Sequence, residues 1–324
     1  MYILGIETSC DETGCSIVED GRIIHSNVIA SSLKDHAKYG GVIPEIASRR
    51  QLEFINIVVQ ESLSQAGLRW TDIDAFSVTS HPGLIGSLLV GISFAQGLSL
   101  ALNKPLILID HIKAHLYANF LTFKGQKQEI PDLPCIGLVV SGGHSNIYQI
   151  KDFKNFKLLG QSRDDAVGEA FDKVAKILEL GYPGGPLIDK LAKQSKGQRI
   201  PLKCAAFPDS FDFSFSGIKT AVLYYLKAHS HDPDFNKADL AFSFQESIIE
   251  VITRKTIDAC LKTKNKAIVI GGGVAANSCL RHHLTEEAKT RGIKVFFPPM
   301  ILCTDNAAMV AGLAYYFKSD RVTE

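Results

Sequence analysis

What the chain lacks narrows the field before any motif is read. It carries almost no net charge: 35 Lys and Arg against 34 Asp and Glu leave +1 at neutral pH. No global field draws in a polyanion, although a local patch still can. Paired cysteines are missing. The seven cysteines are scattered and odd in number, with no C-x-x-C. That excludes a disulfide framework and points to a reducing compartment. The first residues, MYILGIETSCDET, meet acidic side chains at once and show no basic n-region, so they do not read as a signal peptide. The greasiest stretch, SLLVGISFAQGLSLAL (87–102), is broken by Ser, Gly and Gln and is shorter than the roughly 20 residues a membrane span needs. We read a soluble, cytoplasmic chain with no membrane association. With 324 residues, 46% of them hydrophobic and 21% charged, it can bury a large core as two domains or one two-lobed unit.

What is present alternates between strand and helix, an α/β signature. YILGIETS reads as a buried strand, and CSIVEDGRIIHSNVIAS supplies two more through an Asp20-Gly21 hairpin. A long helix over 44–65 ends at Gly67. AFSVTSHPG is a strand into a loop, 87–102 an apolar helix packed on most sides, and PLILIDH a further strand. The pattern then restarts with PCIGLVVSGGHSNIYQIKDFKNFKLLG: strand, small polar turn, strand, hairpin, strand. Helices follow near 166–179, 216–228 and 237–263, then a strand, glycines and a helix in KAIVIGGGVAANSCLRHHL, a strand in IKVFFPP and a closing helix in TDNAAMVAGLAYYF. The turns at Thr8–Thr13 and Ser141–Ser145 open the two halves. Residue identity between the halves is poor, so layout is duplicated and sequence is not. Such a layout implies a duplicated two-lobed α/β fold with a central cleft, each turn offering backbone amides to a phosphate.

DHIKAHLYANF (110–120) places His111 and His115 one helical turn apart on one face, the spacing two imidazoles need to meet one cation. They can equally be ordinary polar side chains. Asp305 in CTDNAAM is the best third ligand, although an Asp before an apolar helix is commonly an N-cap. Between the histidines stand Ile112, Lys113 and Ala114. The Glu that a zinc peptidase of the H-E-x-x-H kind uses as its base is absent. Two His and one carboxylate leave open coordination positions and suit Fe(II) or Zn(II). Asp11 and Glu12 are candidate acid–base groups or a solvated acidic turn.

VIGGGVAAN fits G-x-G-x-x-A through Gly271, Gly273 and Ala276, but the following strand ends without the acid a dinucleotide site wants. It suits a loop on which a base or ribose rests, with Asn277 available to hydrogen-bond, or a close strand–helix crossing. VVSGGHS can bind an anion or simply turn. GYPGGPLID (181–189) reads as a rigid loop, with Asp189 available to a ribose. Asp172 lies on an amphipathic helix. Arg49 and Arg50 with Lys34 and Lys38, and Lys193, Lys196, Arg199 and Lys203, are candidate phosphate contacts or solvated charge.

From end to end, GIETSCDET, KYGGVIPEIASR, HIKAHLYA, LVVSGGHS, EAFDKVAKILEL, YPGGP, FSFSGIKTAV, GGGVAAN and CTDNAAM occur in this order. Together they resemble the bacterial tRNA N6-adenosine threonylcarbamoyltransferase (TsaD) family over almost the whole chain. The resemblance implies the actin-like fold of the ASKHA superfamily, related to RNase H. Its lobes would be 1–110 plus 294–324, and a nucleotide-binding 111–293. It implies transfer of a threonylcarbamoyl group from threonylcarbamoyl-AMP to N6 of adenosine 37 in tRNAs reading ANN codons, with release of AMP. It makes His111, His115 and Asp305 ligands of one divalent metal per subunit, Fe(II) before Zn(II). Val139, Val140, Ser141, Gly142, Gly143, Asp172, Gly185, Asp189 and Asn277 become the substrate pocket, and Asp11 or Glu12 the group that takes the N6 proton. Implied partners are tRNA, an inactive TsaB-like paralogue, a small TsaE-like P-loop ATPase and a separate synthase for the donor. Three rival readings remain. An actin-fold ATPase or sugar kinase leaves the histidines unexplained, a metallopeptidase lacks its base, and a scaffold would bind partners without any metal.

Overall fold

The computed structural model describes residues 1–205 and 207–317. Along the chain run β1 (Tyr2–Glu7), β2 (Glu12–Glu19), β3 (Ile23–Ser31), α1 (Leu33–Ala37), α2 (Pro44–Ala66), β4 (Ala75–His81), α3 (Ile85–Leu102), β5 (Leu106–Asp110), α4 (His111–Tyr117), β6 (Thr122–Phe123), β7 (Cys135–Val140), β8 (Ser145–Ile150), β9 (Phe156–Gln161), α5 (Val167–Ile177), α6 (Gly184–Ala192), α7 (Ser216–His229), α8 (Lys237–Lys262), β10 (Ala267–Gly271), α9 (Ser278–Lys289), β11 (Lys294–Phe296) and α10 (Ala307–Ala314). They form two compact units. Unit one is Met1–Ile130 with the chain from Pro298 onward, and unit two is Pro131–Phe297. These bounds differ from the expected lobes, because α4 packs on α10 and so stays with unit one.

Unit one is built on a sheet of order β5-β4-β1-β2-β3-β6. β1 pairs antiparallel with β2 and parallel with β4, and β2 antiparallel with β3. The β2–β3 hairpin turns through Asp20 and Gly21, both at positive φ, and the Arg22 amide closes the turn on the Glu19 carbonyl at 2.9 Å. Side chains alternate across the sheet. Leu4, Ile6, Cys15 and Ile17 join Val58 and Val59 of α2 and Ala95 of α3 in one buried cluster. Gly5 and Gly14 face α10. A Cβ on Gly5 would stand 2.6 Å from Ala307 O, and one on Gly14 would stand 3.2 Å from Ala307 N. Bare glycines thus let α10 lie directly on the strands, and every residue of that helix is buried.

α3 does not pack on most sides, as its composition suggested. Only Ser87, Gly91 and Ala95 are buried, while Ile85, Leu89 and Leu100 are 87, 62 and 83% exposed. It spans 18 residues with mean hydropathy 1.8, long and apolar enough by composition to cross a membrane. Here it flanks α2 and β4, with half-buried Val90, Ile92, Phe94, Leu98 and Leu102 packed against the core.

Unit two repeats the arrangement in the order β11-β10-β7-β8-β9. β7 pairs antiparallel with β8 and parallel with β10, β8 antiparallel with β9, and β10 parallel with β11. β7 therefore matches β1, β8 matches β2, and β10 matches β4. The duplication read from layout is one of topology. The Pro/Gly stretch 181–189 is not all loop. α6 begins at Gly184, and Pro186 sits in its first turn, where a missing N–H costs nothing.

Candidate functional site

Strand alternation and two caps assemble the principal site in unit one. Asp110 caps α4 by accepting from the Ile112 and Lys113 amides at 2.8 and 3.0 Å. That fixes where His111 and His115 emerge. α10 is capped by Asn306, whose side chain accepts from Met309 N. Asp305 is therefore not the N-cap. Its Oδ1 lies 3.0 Å from His115 Nε2 and 3.6 Å from His111 Nε2. The three ligand atoms fall within 4.8 Å of one another. Residues 111 and 305, which spacing alone could not connect, meet because α10 lies on β1 and α4 lies on α10.

Acidic groups crowd around this triad. Glu7 follows Gly5 by two and faces the same side of β1. Fully buried, it lies with Oε2 3.0 Å from His111 Nδ1, and it accepts from Thr79 Oγ1 and the Ser9 amide at 2.6 Å each. Sequence reasoning missed Glu7. Its signal was a lone acid at the end of an otherwise apolar strand, two residues from a glycine. A carboxylate on the far nitrogen of a ligating imidazole fixes the ring and its tautomer. Glu12, two before Gly14, reaches the same face from β2. Burial, then the charges of Asp305, Asp11 and Glu7, push its carboxyl up to about 10. Burial alone would depress the His111 imidazole. The carboxylates of Glu7 and Asp305 outweigh it and hold the ring at about 9. The Cys10 thiol is pushed far up by burial and by Asp11 and Asp305.

The turn carrying Asp11 is not a solvated acidic turn. Asp11 is buried. Gln51, also buried and missed from sequence, reaches from α2 to the carbonyls of Thr8, Cys10 and Glu12 at 3.1, 3.0 and 3.2 Å. The donor set, two imidazoles and one carboxylate, suits a hard-to-borderline dication. Among the described residues, His115 Nδ1 is buried without a hydrogen-bond partner, while its Nε2 is the atom that faces Asp305.

In unit two the remaining candidates form one connected group at the C-terminal ends of the parallel strands β7 and β10, where ligands bind in open α/β sheets. Val139 and Val140 are buried, so only their backbone faces the turn. Gly142 and Gly143 are exposed, with open space where a Cβ would be. Gly272, at φ +92°, lies so close to Val140 that a Cβ would stand 2.4 Å from its carbonyl oxygen. Asp172 accepts from the Gly184 amide at 2.7 Å, and burial raises its carboxyl. Gly185, next along α6, faces open space. Asp189 accepts from Ser278 Oγ at 2.8 Å and pairs with Lys193 at 2.9 Å. Asn277 caps α9 through Leu280 N and donates to Gln245 Oε1, both at 2.9 Å. Among the basic residues, Arg50 pairs with Asp35 and Glu53, Arg49 with Glu45, and Arg199 with Glu250. Those charges are already answered within the chain.

The sequence profile of the TsaD family, tRNA N6-adenosine threonylcarbamoyltransferase, matches residues 23–312. The chain belongs to that family. It is 52% identical over 316 residues to the tRNA N6-adenosine threonylcarbamoyltransferase of Clostridium botulinum, covering 97% of this chain and 92% of the relative. It is 51% identical to that of Clostridium beijerinckii over the same shares. Solved structures share the fold at low identity. Component A of the (R)-2-hydroxyglutaryl-CoA dehydratase of Acidaminococcus fermentans matches with TM-score 0.58 and 17% identity over 98% of both chains. Full-length HypF matches with TM-score 0.63 and 14% identity over 98% of this chain and 55% of that one. The architecture is the duplicated actin-like α/β fold that these structures share. The chain is an acyltransferase of tRNA modification, and it forms threonylcarbamoyladenosine at N6.

Proposed function

We propose that the donor is threonylcarbamoyl-AMP, that the acceptor is N6 of adenosine 37 in tRNAs reading ANN codons, and that AMP leaves. Convergence of His111, His115 and Asp305 from distant parts of the sequence carries this reading, together with family membership. An exocyclic amine is a poor nucleophile and a carbamoyl–phosphate anhydride an activated donor. The protein's work is positioning and stabilising charge on the carbonyl oxygen. His111, His115 and Asp305 would hold one dication, Fe(II) in preference to Zn(II), with Glu7 orienting His111. Bound there, a dication supplies a Lewis acid for the threonyl carboxylate and hydroxyl and offsets the negative charge around Glu12.

Gly142 and Gly143 give bare backbone to a phosphate. Asp172, Gly185, Asp189 and Asn277 line the loops for ribose and base, with Val139, Val140 and Ser141 shaping the turn. Asp11 and Glu12 are the candidates for the N6 proton. Glu12 is protonated while the charges around it go unanswered, so it can accept only once they are offset. Incubation with threonylcarbamoyl-AMP and unmodified tRNA, followed by nucleoside mass spectrometry, tests the function. Release of phosphate from ATP without tRNA, and no modified nucleoside, would instead favour the kinase reading.

The exposed apolar residues of α2 and α3, Leu52, Ile57, Ile85, Leu89 and Leu100, support a protein-binding face for a TsaB-like paralogue, with a TsaE-like ATPase joining that pair. The chain acts in the cytoplasm in this reading.

A further inference from the structure

Unit two holds a second cluster of metal-type ligands that the transfer reaction does not use. Cys279 and His283 stand four apart on α9 and so share one face, one turn apart. Glu246 comes from α8, which packs along α9. Cys279 Sγ lies 3.1 Å from Glu246 Oε1, and His283 Nε2 lies 3.2 Å from Glu246 Oε2. All three ligand atoms fall within 4.8 Å of one another, and all three residues are half-buried. We propose that Glu246, Cys279 and His283 form a second metal site, one that takes a borderline-soft dication of the Zn(II) type.

The chemistry separates this site from the first. A thiolate, an imidazole and a carboxylate favour Zn(II), and a soft sulfur ligand is missing from the His111–His115–Asp305 set. Metal–ligand bonds of about 2.0–2.3 Å in a tetrahedron put ligand atoms roughly 3.3–3.8 Å apart, inside the 4.8 Å that already encloses one ligand atom from each residue. Asp189 and Glu250 add negative charge beside the thiol. Three protein ligands leave one vertex for water or an outside donor. Binding sends the Cys279 proton to solvent, so the ion meets a thiolate.

Such an ion would tie α8 to α9 beside two bonds of the candidate substrate loops. Asn277 donates to Gln245, the neighbour of Glu246, and Ser278, the neighbour of Cys279, donates to Asp189. The simpler arrangement is a carboxylate accepting from a thiol and an imidazole, with no ion.

Co(II) titration of the metal-stripped full-length chain distinguishes the two, read by absorption. The proposal expects a near-ultraviolet thiolate-to-cobalt band with visible bands of tetrahedral intensity. C279S removes the near-ultraviolet band, with circular dichroism confirming the fold. E246Q and H283A keep the thiol and weaken the band's cobalt affinity at least about tenfold, the lower end of what losing a ligand's mere hydrogen-bond partner costs. The H111A/H115A double variant retains the band. No thiolate band in the unaltered chain, or a band that survives C279S, overturns the site.

Discussion

In unit one the turn between β1 and β2 runs through Ser9, Cys10 and Asp11 and is closed. Gln51 grips its carbonyls, and Glu7, Glu12 and Asp305 gather beside it. In unit two the corresponding turn between β7 and β8 runs through Gly142 and Gly143 and is open, with no neighbour where side chains would begin. Five strands follow the same order and pairing in both, and β6 extends the sheet of unit one by a sixth. One frame therefore presents two chemistries. Closed and acidic, the first turn suits a cation. Open and bare, the second suits an anion and the sugar beyond it. The shared topology puts a turn at the same point of each unit, and the residues in that turn set its charge and its openness.

The largest effect tests that division directly. H111A/H115A should lower single-turnover transfer to tRNA on the order of 10³-fold, the scale of losing a principal charge-stabilising group, and abolish metal uptake at that centre. N277A and D189N in unit two should leave metal at the His111–His115–Asp305 centre unchanged and raise the KM for threonylcarbamoyl-AMP about tenfold, as the loss of one or two hydrogen bonds to a bound ligand does. Metal loss from that centre in the unit-two variants would break the comparison.

A pH series sharpens it. With His111 held at about 9 and Glu12 at about 10, both are protonated at neutral pH in the metal-free protein. A dication must displace protons to bind, so its apparent affinity rises with pH, by up to about tenfold per unit for each proton released, becomes shallower above the His111 value and flattens only above the Glu12 value. Calorimetry in buffers of different ionisation heat counts those protons. E12Q should lower the count, and an unchanged count would remove Glu12 from the centre. E7Q, which keeps the shape of the residue behind His111, should weaken metal binding about 10- to 100-fold.

Much of this was legible before any coordinates. The i, i+4 histidines, the Asp20-Gly21 hairpin and the restart of the strand pattern near 135 are local signals, and each appears where local rules put it. Asp305 was legible only as a choice between ligand and cap. The neighbour Asn306 takes the cap and frees Asp305 from it. Glu7 and Gln51 were not legible, because their roles depend on which strand face α10 covers and on where α2 crosses the first turn. α3 misled for a different reason. Apolar composition reports that a surface avoids water, not whether its own chain or a partner covers it.

The smallest effect concerns the basic residues of the two units. Arg50 in unit one and Arg199 in unit two each lie against carboxylates of their own chain. Exposed pairs of this kind contribute little to stability, and a guanidinium already answered offers little to RNA. R50A and R199A should therefore change tRNA affinity less than about twofold and leave its salt dependence unaltered. A residue that neutralises a phosphate behaves otherwise, since its loss flattens the slope of log K against log salt by nearly one. If either variant flattens that slope, the ion pair opens to tRNA. The unit that carries it would then hold backbone contacts that the other lacks.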